Sequence, residues 1–254
     1  IITMNRSQLT PPNKSNVTAQ YTTPVIDHLL GRTTLEWLTD EGQHTTLKAS
    51  LRFTDYEGHR PSMYSVMRLP YVFKTWLDTR KSPILQNPVP FIVLDAIRFL
   101  ESIVQPGMKV VEAGGGNSTL WFLEKETKVT TYEHSQDWAT YVQCAMHQQP
   151  MRFHPVNSHM KVMQGEATIG DMALIPDHSL DMVLVDCMND YTRRNDCIQV
   201  LMNKVKPGGW LILDNSDNPV NWVGAELLKD KEMHRFSGFA PMGLFVCQTT
   251  FWKM

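Results

Sequence analysis

The stretch "VVEAGGGNSTLWF", residues 110–122, decides the fold because a run of glycines separates two apolar runs. The first run has the pattern of a strand and the second that of a helix. Gly114 and Gly116 allow the backbone to take positive φ angles and to approach a ligand closely. Asn117 and Ser118 follow at the predicted helix start, where free N–H groups favour negative charge. The stretch predicts a ligand-binding turn, and a plain strand-helix turn is the alternative.

The alternation of strand and helix continues along the chain. We predict five strands, at residues 108–113, 128–134, 159–165, 180–186 and 206–216. Such alternation is typical of a parallel sheet with helices on both faces. Two further β-type runs, residues 234–241 and 243–253, are joined by a short turn. They predict a C-terminal hairpin, so one strand must run antiparallel at the edge of the sheet.

The N-terminal part of the chain has a different composition. Residues 1–24 are rich in Thr, Asn, Ser, Gln and Pro, which predicts a mobile tail. Residues 25–87 mix short helical patterns with loops and predict a cap or lid, and residues 88–254 form the α/β domain. The helical patterns before the first strand of that domain cover residues 24–38, 62–77 and 87–103.

Composition narrows the classes of function. The chain has 254 residues and a net charge of −2, so no overall basic field suggests a nucleic-acid partner. The four cysteines form no C-x-x-C pair, and we expect reduced thiols and a cytoplasmic protein. No apolar run reaches the roughly 18 residues of a membrane span. We therefore predict neither a nucleic acid nor a membrane as a partner.

Acidic residues lie at the ends of the second and third predicted strands. Glu133 follows Glu112 by 21 residues, a position from which it can accept hydrogen bonds from ribose hydroxyls. "GEA", residues 165–167, lies on the rim where an adenine would bind. The third glycine of the dinucleotide fingerprint is missing, so there is less provision for a pyrophosphate than in a dehydrogenase.

Together these motifs resemble the class I S-adenosylmethionine-dependent methyltransferases. "VVEAGGGNSTLWF" resembles the E-x-G-x-G first motif of that family, and "VTTYEHS" its acidic second motif. "LDMVLVD" is similar to its fourth strand, and "VKPGGWLILDNS" to its fifth. The resemblance covers about residues 88–254. It implies a Rossmann-like α/β fold with a seven-stranded sheet, mostly parallel with an antiparallel C-terminal hairpin, helices on both faces and an N-terminal cap segment.

The resemblance also implies the cofactor contacts. Glu112 would orient the glycine loop and offer a counter-charge to the cofactor's ammonium, although a cap of the helix loop is the alternative. Glu133 would bind both ribose hydroxyls. The backbone contacts to the methionine part would come from Gly114, Gly115, Gly116, Asn117 and Ser118.

Further contacts are implied at the adenine end. His134 would flank the adenine, with Glu166 and Ala167 at its edge, and Asp186 would close the site from the fourth strand. The alternatives are an exposed neighbour for His134 and an acid favoured by the helix dipole for Glu166.

The acceptor side of the site carries Asp186, Asp214 and Asn215, which end adjacent predicted strands. Two acids and an amide can ligate a hard cation, and we include Mg²⁺ as an optional cofactor. The arrangement resembles catechol and caffeoyl-CoA type O-methyltransferases, although Asn189 stands where those enzymes commonly carry Lys. "DNSD" also resembles uncharacterised bacterial methyltransferases, and Asp214 and Asn215 could instead cap a loop.

We predict that the chain transfers a methyl group from S-adenosylmethionine to a small-molecule acceptor, first of all to an oxygen. Asp186 and Asp214 are the predicted catalytic residues. The alternatives are a non-catalytic cofactor-binding partner subunit and N-methylation of a small molecule or macromolecule. The protein could form a homodimer. Other candidates are bases at His134, His154, His159 and Tyr191, and an anion grip at Arg193 or Arg194, for which a solvated helix face is the alternative.

Overall fold

The computed structural model of the chain describes residues 18–20, 33–38, 44–49, 53–82, 84–187 and 191–254. Three of these segments, β1 (Thr18–Gln20), β2 (Thr33–Leu38) and β3 (His44–Ala49), pair as an antiparallel sheet. The predicted helix over residues 24–38 is therefore wrong at residues 33–38. These residues form β2, and their threonines and tryptophan suit a strand. Apart from β1, the predicted mobile tail lies outside the described residues.

Three helices precede the main sheet: α1 (Met63–Met67), α2 (Leu69–Lys81) and α3 (Leu94–Ile103). The predicted helix over residues 62–77 is confirmed as α1 and α2. The third is shorter than the pattern over residues 87–103 predicts. Pro88 and Pro90 disfavour helical backbone in the residues before them, so the helix begins only after these prolines.

A seven-stranded sheet forms the main body, and its strands are β4 (Lys109–Ala113), β5 (Lys128–Glu133), β6 (Ser158–Val162), β7 (Leu180–Val185), β8 (Val205–Asp214), β9 (Glu232–Phe239) and β10 (Val246–Lys253). Their order in the sheet is β6-β5-β4-β7-β8-β10-β9. Its first five strands along the chain are parallel, and β10 runs antiparallel to both β8 and β9. The predicted sheet with its C-terminal hairpin is thus confirmed, but the antiparallel strand β10 lies between β8 and the edge strand β9 and not at the edge itself.

Helices cover both faces of this sheet, because alternate residues of its central strands are buried on opposite sides. Val110 packs with α3 and the two helices that follow β4 and β5, whereas Val111 packs with the helix that follows β7. These and the remaining helices are α4 (Asn117–Glu124), α5 (Gln136–Gln148), α6 (Pro150–Phe153), α7 (Gly165–Ala173), α8 (Tyr191–Leu201) and α9 (Trp222–Glu226). Among the described residues, no helix has the length and apolar character that crossing a membrane requires.

The segment around α2 follows the carboxyl edge of the sheet. Near its middle, the Thr75 hydroxyl oxygen accepts a hydrogen bond from the Met242 N–H, in the β9–β10 turn, at 3.2 Å. Just after α2, the Leu85 N–H donates to Oδ1 of Asn117, the first residue of α4, at 2.9 Å. The segment around α2 is therefore bonded both to the hairpin and to the helix that follows the glycine turn, on the edge where the sequence predicts the ligand.

Ser65 joins α1 to the edge strand β9 and provides a test of this docking. Its buried hydroxyl oxygen accepts the Phe239 N–H at 2.8 Å. Ser65→Ala should lower the free energy of unfolding by about 1–3 kcal/mol, because a buried N–H loses its acceptor. Urea denaturation measures the loss. The control Ser102→Ala removes an exposed hydroxyl and should change stability by less than about 0.5 kcal/mol; equal losses in both variants would contradict the role of Ser65.

Candidate functional site

The turn after β4 is packed directly against the end of β7. Gly114 has φ = 90°, and its N–H donates to the carbonyl of Tyr132 at 2.8 Å. A Cβ atom at Gly114 would lie 2.6 Å from the carbonyl oxygen of Asp186, a backbone atom that cannot move aside easily. The prediction of a positive φ angle at this glycine is confirmed, and glycine is required by both conformation and space.

The rest of the glycine loop is held between an acid and a tryptophan. The Gly115 N–H donates to Oε2 of Glu133 at 3.0 Å, and its carbonyl accepts the indole N–H of Trp138 at 2.7 Å. The Trp138 ring also covers Gly116, where a Cβ would lie 3.3 Å from it. Trp138 is not predicted as a site residue from the sequence, since a tryptophan on an amphipathic helix is ordinarily a core residue.

Glu112 is fully buried at the end of β4 and is held by hydroxyl groups. Its carboxylate accepts hydrogen bonds from Ser118 at 2.8 Å, from Thr131 at 2.7 Å, and from the Thr119 hydroxyl. Burial raises the pKa of Glu112 from 4.5 to about 7, and these hydrogen bonds oppose the rise. Glu112 thus fixes the first turn of α4 through Ser118 and Thr119. The Thr131 contact follows from the β4–β5 register, which places the two residues opposite each other.

Glu133 is buried at the end of β5 and faces the glycine loop. Besides the Gly115 N–H, its carboxylate accepts the backbone N–H groups of His134 and Ser135, each at 2.9 Å. The Nδ1 atom of His134 also lies 2.9 Å from the Glu133 carboxylate. Bonds from backbone N–H groups to an ionised acceptor are strong. These bonds therefore fix Glu133 beside the glycine loop, where the sequence motifs predict it.

The predicted adenine rim lies next to Glu133. Glu166 and Ala167 are exposed in the first turn of α7, at the end of β6. Gln164, just before that helix, donates from its side-chain amide to the His134 carbonyl at 2.8 Å. Glu166 forms an ion pair with Arg193 at 2.9 Å. The ends of β5 and β6 thus bring all of the predicted rim residues together.

A buried arginine lies between the ends of β7 and β8. Arg194, only 2% exposed, donates from one terminal nitrogen to Oδ1 of Asp186 at 2.9 Å. Its other terminal nitrogen donates to the Asp214 carbonyl at 2.5 Å, and its Nε to the Cys187 carbonyl at 3.1 Å. The alternative that Arg194 lies on a solvated helix face is therefore wrong. The side chain points from the first turn of α8 into the site.

The residues predicted to hold Mg²⁺ do not fit a metal site. Asp186 faces the guanidinium of Arg194, and desolvation raises the pKa of Asp186 while that charge opposes the rise. Asp214 is buried, and its Oδ1 accepts the Thr249 hydroxyl at 2.6 Å. Burial, and then the charge of Asp186, raise the pKa of Asp214 well above its usual value. In the part of the chain that the structure describes, no three His, Cys, Asp or Glu residues are grouped to hold a metal.

Two of the candidate bases are far from this edge. His154 precedes β6 and His159 is its second residue, so both lie towards the amino end of that strand. The site is at the carboxyl end, so neither fits the role of a base. Asn189 and the Tyr191 side chain lie outside the described residues.

Comparison with known proteins identifies the class. Residues 111–216 match the protein family described as a methyltransferase domain. Among curated protein sequences, none matches the chain. Residues 111–216 therefore form a methyltransferase domain, and this confirms the methyltransferase class that the motifs of this segment predict.

Crystal structures of two O-methyltransferases share the fold. The O-methyltransferase TomG from Streptomyces achromogenes, described as involved in tomaymycin synthesis and solved in complex with S-adenosylmethionine, is 14% identical with a TM-score of 0.53. The alignment covers 72% of this chain and 88% of TomG. An O-methyltransferase from Bacillus cereus, in complex with S-adenosylhomocysteine, is 15% identical with a TM-score of 0.53, covering 73% and 91% of the two chains. At these identities the likeness establishes the fold alone.

The buried carboxyl of Glu112 predicts a pH-dependent stability. Between its ordinary pKa of 4.5 and the folded value of about 7, the folded state binds more protons than the unfolded state. This contribution is fully present below the ordinary value and is lost as pH rises through the folded one. From pH 5 to 8, the stability of the wild type relative to Glu112→Gln should fall by about 2–3 kcal/mol, as measured by urea denaturation.

The control for this experiment is Glu101→Gln, which removes an exposed carboxylate from α3. Its stability should follow that of the wild type across the same pH range. Parallel pH profiles for the wild type and Glu112→Gln would show that Glu112 keeps its ordinary pKa in the folded protein.

Proposed function

We propose that the chain transfers a methyl group from S-adenosylmethionine to a hydroxyl oxygen of a small molecule. The observation that carries this proposal is the hydrogen bond from the Gly115 N–H to the Glu133 carboxylate. It brings the loop suited to the amino-acid part of the cofactor beside the acid suited to its ribose. The complete set of Glu112, the glycine loop and Glu133 favours an active enzyme over a cofactor-binding partner subunit.

Different residues of the site would contact different parts of the cofactor. The backbone of residues 114–118 would border the methionine part, and Glu133 would accept hydrogen bonds from the ribose hydroxyls. His134, Glu166 and Ala167 would surround the adenine. When bound, S-adenosylmethionine supplies an activated methyl group. The work of the protein is then to place the acceptor oxygen in line with that methyl, at about 3–3.5 Å.

Asp186 is best placed to act on the acceptor. Its side chain is 26% exposed, at the end of β7 and directly beside Gly114. Arg194 binds Oδ1, whereas Oδ2 makes no hydrogen bond among the described residues. We assign to Asp186 the acceptance of the acceptor's hydroxyl proton. Asp214, buried beneath it and bound to Thr249, is instead a positioning residue.

The position of the cap supports a small acceptor. Thr75 and Leu85 are bonded to Met242 and Asn117 on the carboxyl edge, so the segment around α2 would narrow access to the place where the methyl group would be transferred. The net charge of −2 gives no attraction for a nucleic acid. A hydroxylated small molecule fits this edge better than a macromolecule does.

Calorimetry with S-adenosylhomocysteine tests the cofactor part of the proposal. We expect micromolar affinity for the wild type. Glu133→Ala should weaken it about 10–100-fold, because hydrogen bonds to a charged acceptor contribute roughly 1.5–3 kcal/mol. Glu124→Ala, which removes a carboxylate near the other end of α4, is the matched control and should bind as the wild type does.

The stability of the variant needs a separate check. Glu133 accepts backbone N–H groups, so its removal also affects the loop. Glu133→Gln keeps an acceptor oxygen, and a melting curve without ligand shows whether each variant is folded. Folded wild-type protein that gives no binding heat with either S-adenosylmethionine or S-adenosylhomocysteine would refute the proposal.

Turnover tests the role of Asp186. A panel of phenols, hydroxy acids, sugars and matched amines is assayed for formation of S-adenosylhomocysteine. We expect turnover with hydroxyl compounds, and Asp186→Asn should reduce it by about 100-fold or more, because the amide cannot take up the proton. Methylation of the amines alone would contradict an oxygen acceptor, and full activity of Asp186→Asn would contradict the assigned role.

A further inference from the structure

Arg194 is an unusual residue for its place in the fold. It lies in the first turn of α8, where the helix dipole disfavours a cation. Burial of a guanidinium is also costly unless its donors are satisfied. The neighbouring Arg193 shows the ordinary arrangement, since it is 30% exposed and pairs with the exposed Glu166. The buried position of Arg194 therefore depends on the groups that surround it.

Those groups are oxygens from the ends of two adjacent strands. The guanidinium binds the Asp186 carboxylate and the carbonyl oxygens of Cys187 and Asp214. The Asp214 carboxylate interacts electrostatically with the same guanidinium. Carboxylate and carbonyl oxygens are the ligands that hard divalent cations take in proteins. The planar guanidinium, with its five N–H donors, satisfies several of them at once.

We propose that the Arg194 guanidinium is the resident cation of the acceptor side of the site. It takes the place of the divalent ion that the pattern of Asp186, Asp214 and Asn215 predicts, and it joins the ends of β7 and β8. The protein then needs no added metal to hold Asp186 in position. The role of this cluster towards the methyl acceptor rests on the proposed function. The exclusion of a metal ion by the charge of Arg194 does not.

The test converts the arginine site into a metal site. Arg194→Ala leaves the two carboxylates and two carbonyl oxygens without their cation. At about 5 mM Mn²⁺, this variant should melt about 2–4 °C higher than in the presence of a chelator, because an ion that binds the folded state stabilises it. The melting temperatures of the wild type and of Arg194→Lys should be the same in Mn²⁺ and in chelator, since both keep a positive charge there.

Two further variants make the result decisive. Arg193→Ala removes a positive charge from the same helix turn and should show no response to Mn²⁺. Arg194→Gln keeps most of the side-chain volume and should respond to Mn²⁺ as Arg194→Ala does, which covers the case that the alanine variant does not fold. A rise in the wild-type melting temperature with Mn²⁺, or no response in any folded neutral variant at position 194, would overturn the proposal. Neither cofactor nor acceptor is present in this test, so failure of the proposed function would appear separately, in the calorimetry.

Discussion

The close approach of β4 and β7 at Gly114 is the constraint on which the site depends. The Asp186 N–H donates to the Ala113 carbonyl at 2.9 Å, and a side chain at Gly114 would meet the Asp186 carbonyl at 2.6 Å. The turn after β4 and the beginning of the loop after β7 are therefore one packed unit. The conformation that satisfies this contact also directs the Gly115 N–H towards Glu133. The proposed cofactor side and the proposed acceptor side of the site are consequently set by the same backbone contact.

The sequence predicts those features that arise within one element or between neighbouring ones. Val110 and Val111 point to opposite faces of β4, and both faces are buried, which explains why two apolar residues follow each other there. Glu133 could be predicted beside the glycine loop because parallel neighbouring strands end at one edge. Local patterns fail where another preference is stronger. In residues 87–93, two prolines prevent the helical pattern from becoming a helix.

The partners of buried side chains are harder to predict, because they come from distant parts of the chain. Arg193 and Arg194 are adjacent and chemically identical in sequence. In a helix they point about 100° apart, so one faces the rim and the other the strand ends. Only the position of α8 on the sheet decides which of them is buried. The contact between Trp138 and Gly115 likewise depends on how α5 packs, 23 residues along the chain from the glycine.

Four of the acids on this edge, Glu112, Glu133, Asp186 and Asp214, are each compensated by different groups. Glu112 is surrounded by neutral hydroxyls and Asp214 by a threonine, and burial raises the pKa of both. Glu133 is held by backbone N–H groups, and Asp186 by a guanidinium. Four ionised and uncompensated carboxylates would make the edge a site for divalent cations. With these partners, the negative charge at the edge is smaller than the number of acids suggests. The same compensation leaves each acid in a fixed position, which is what an enzyme that works by placing two reactants requires.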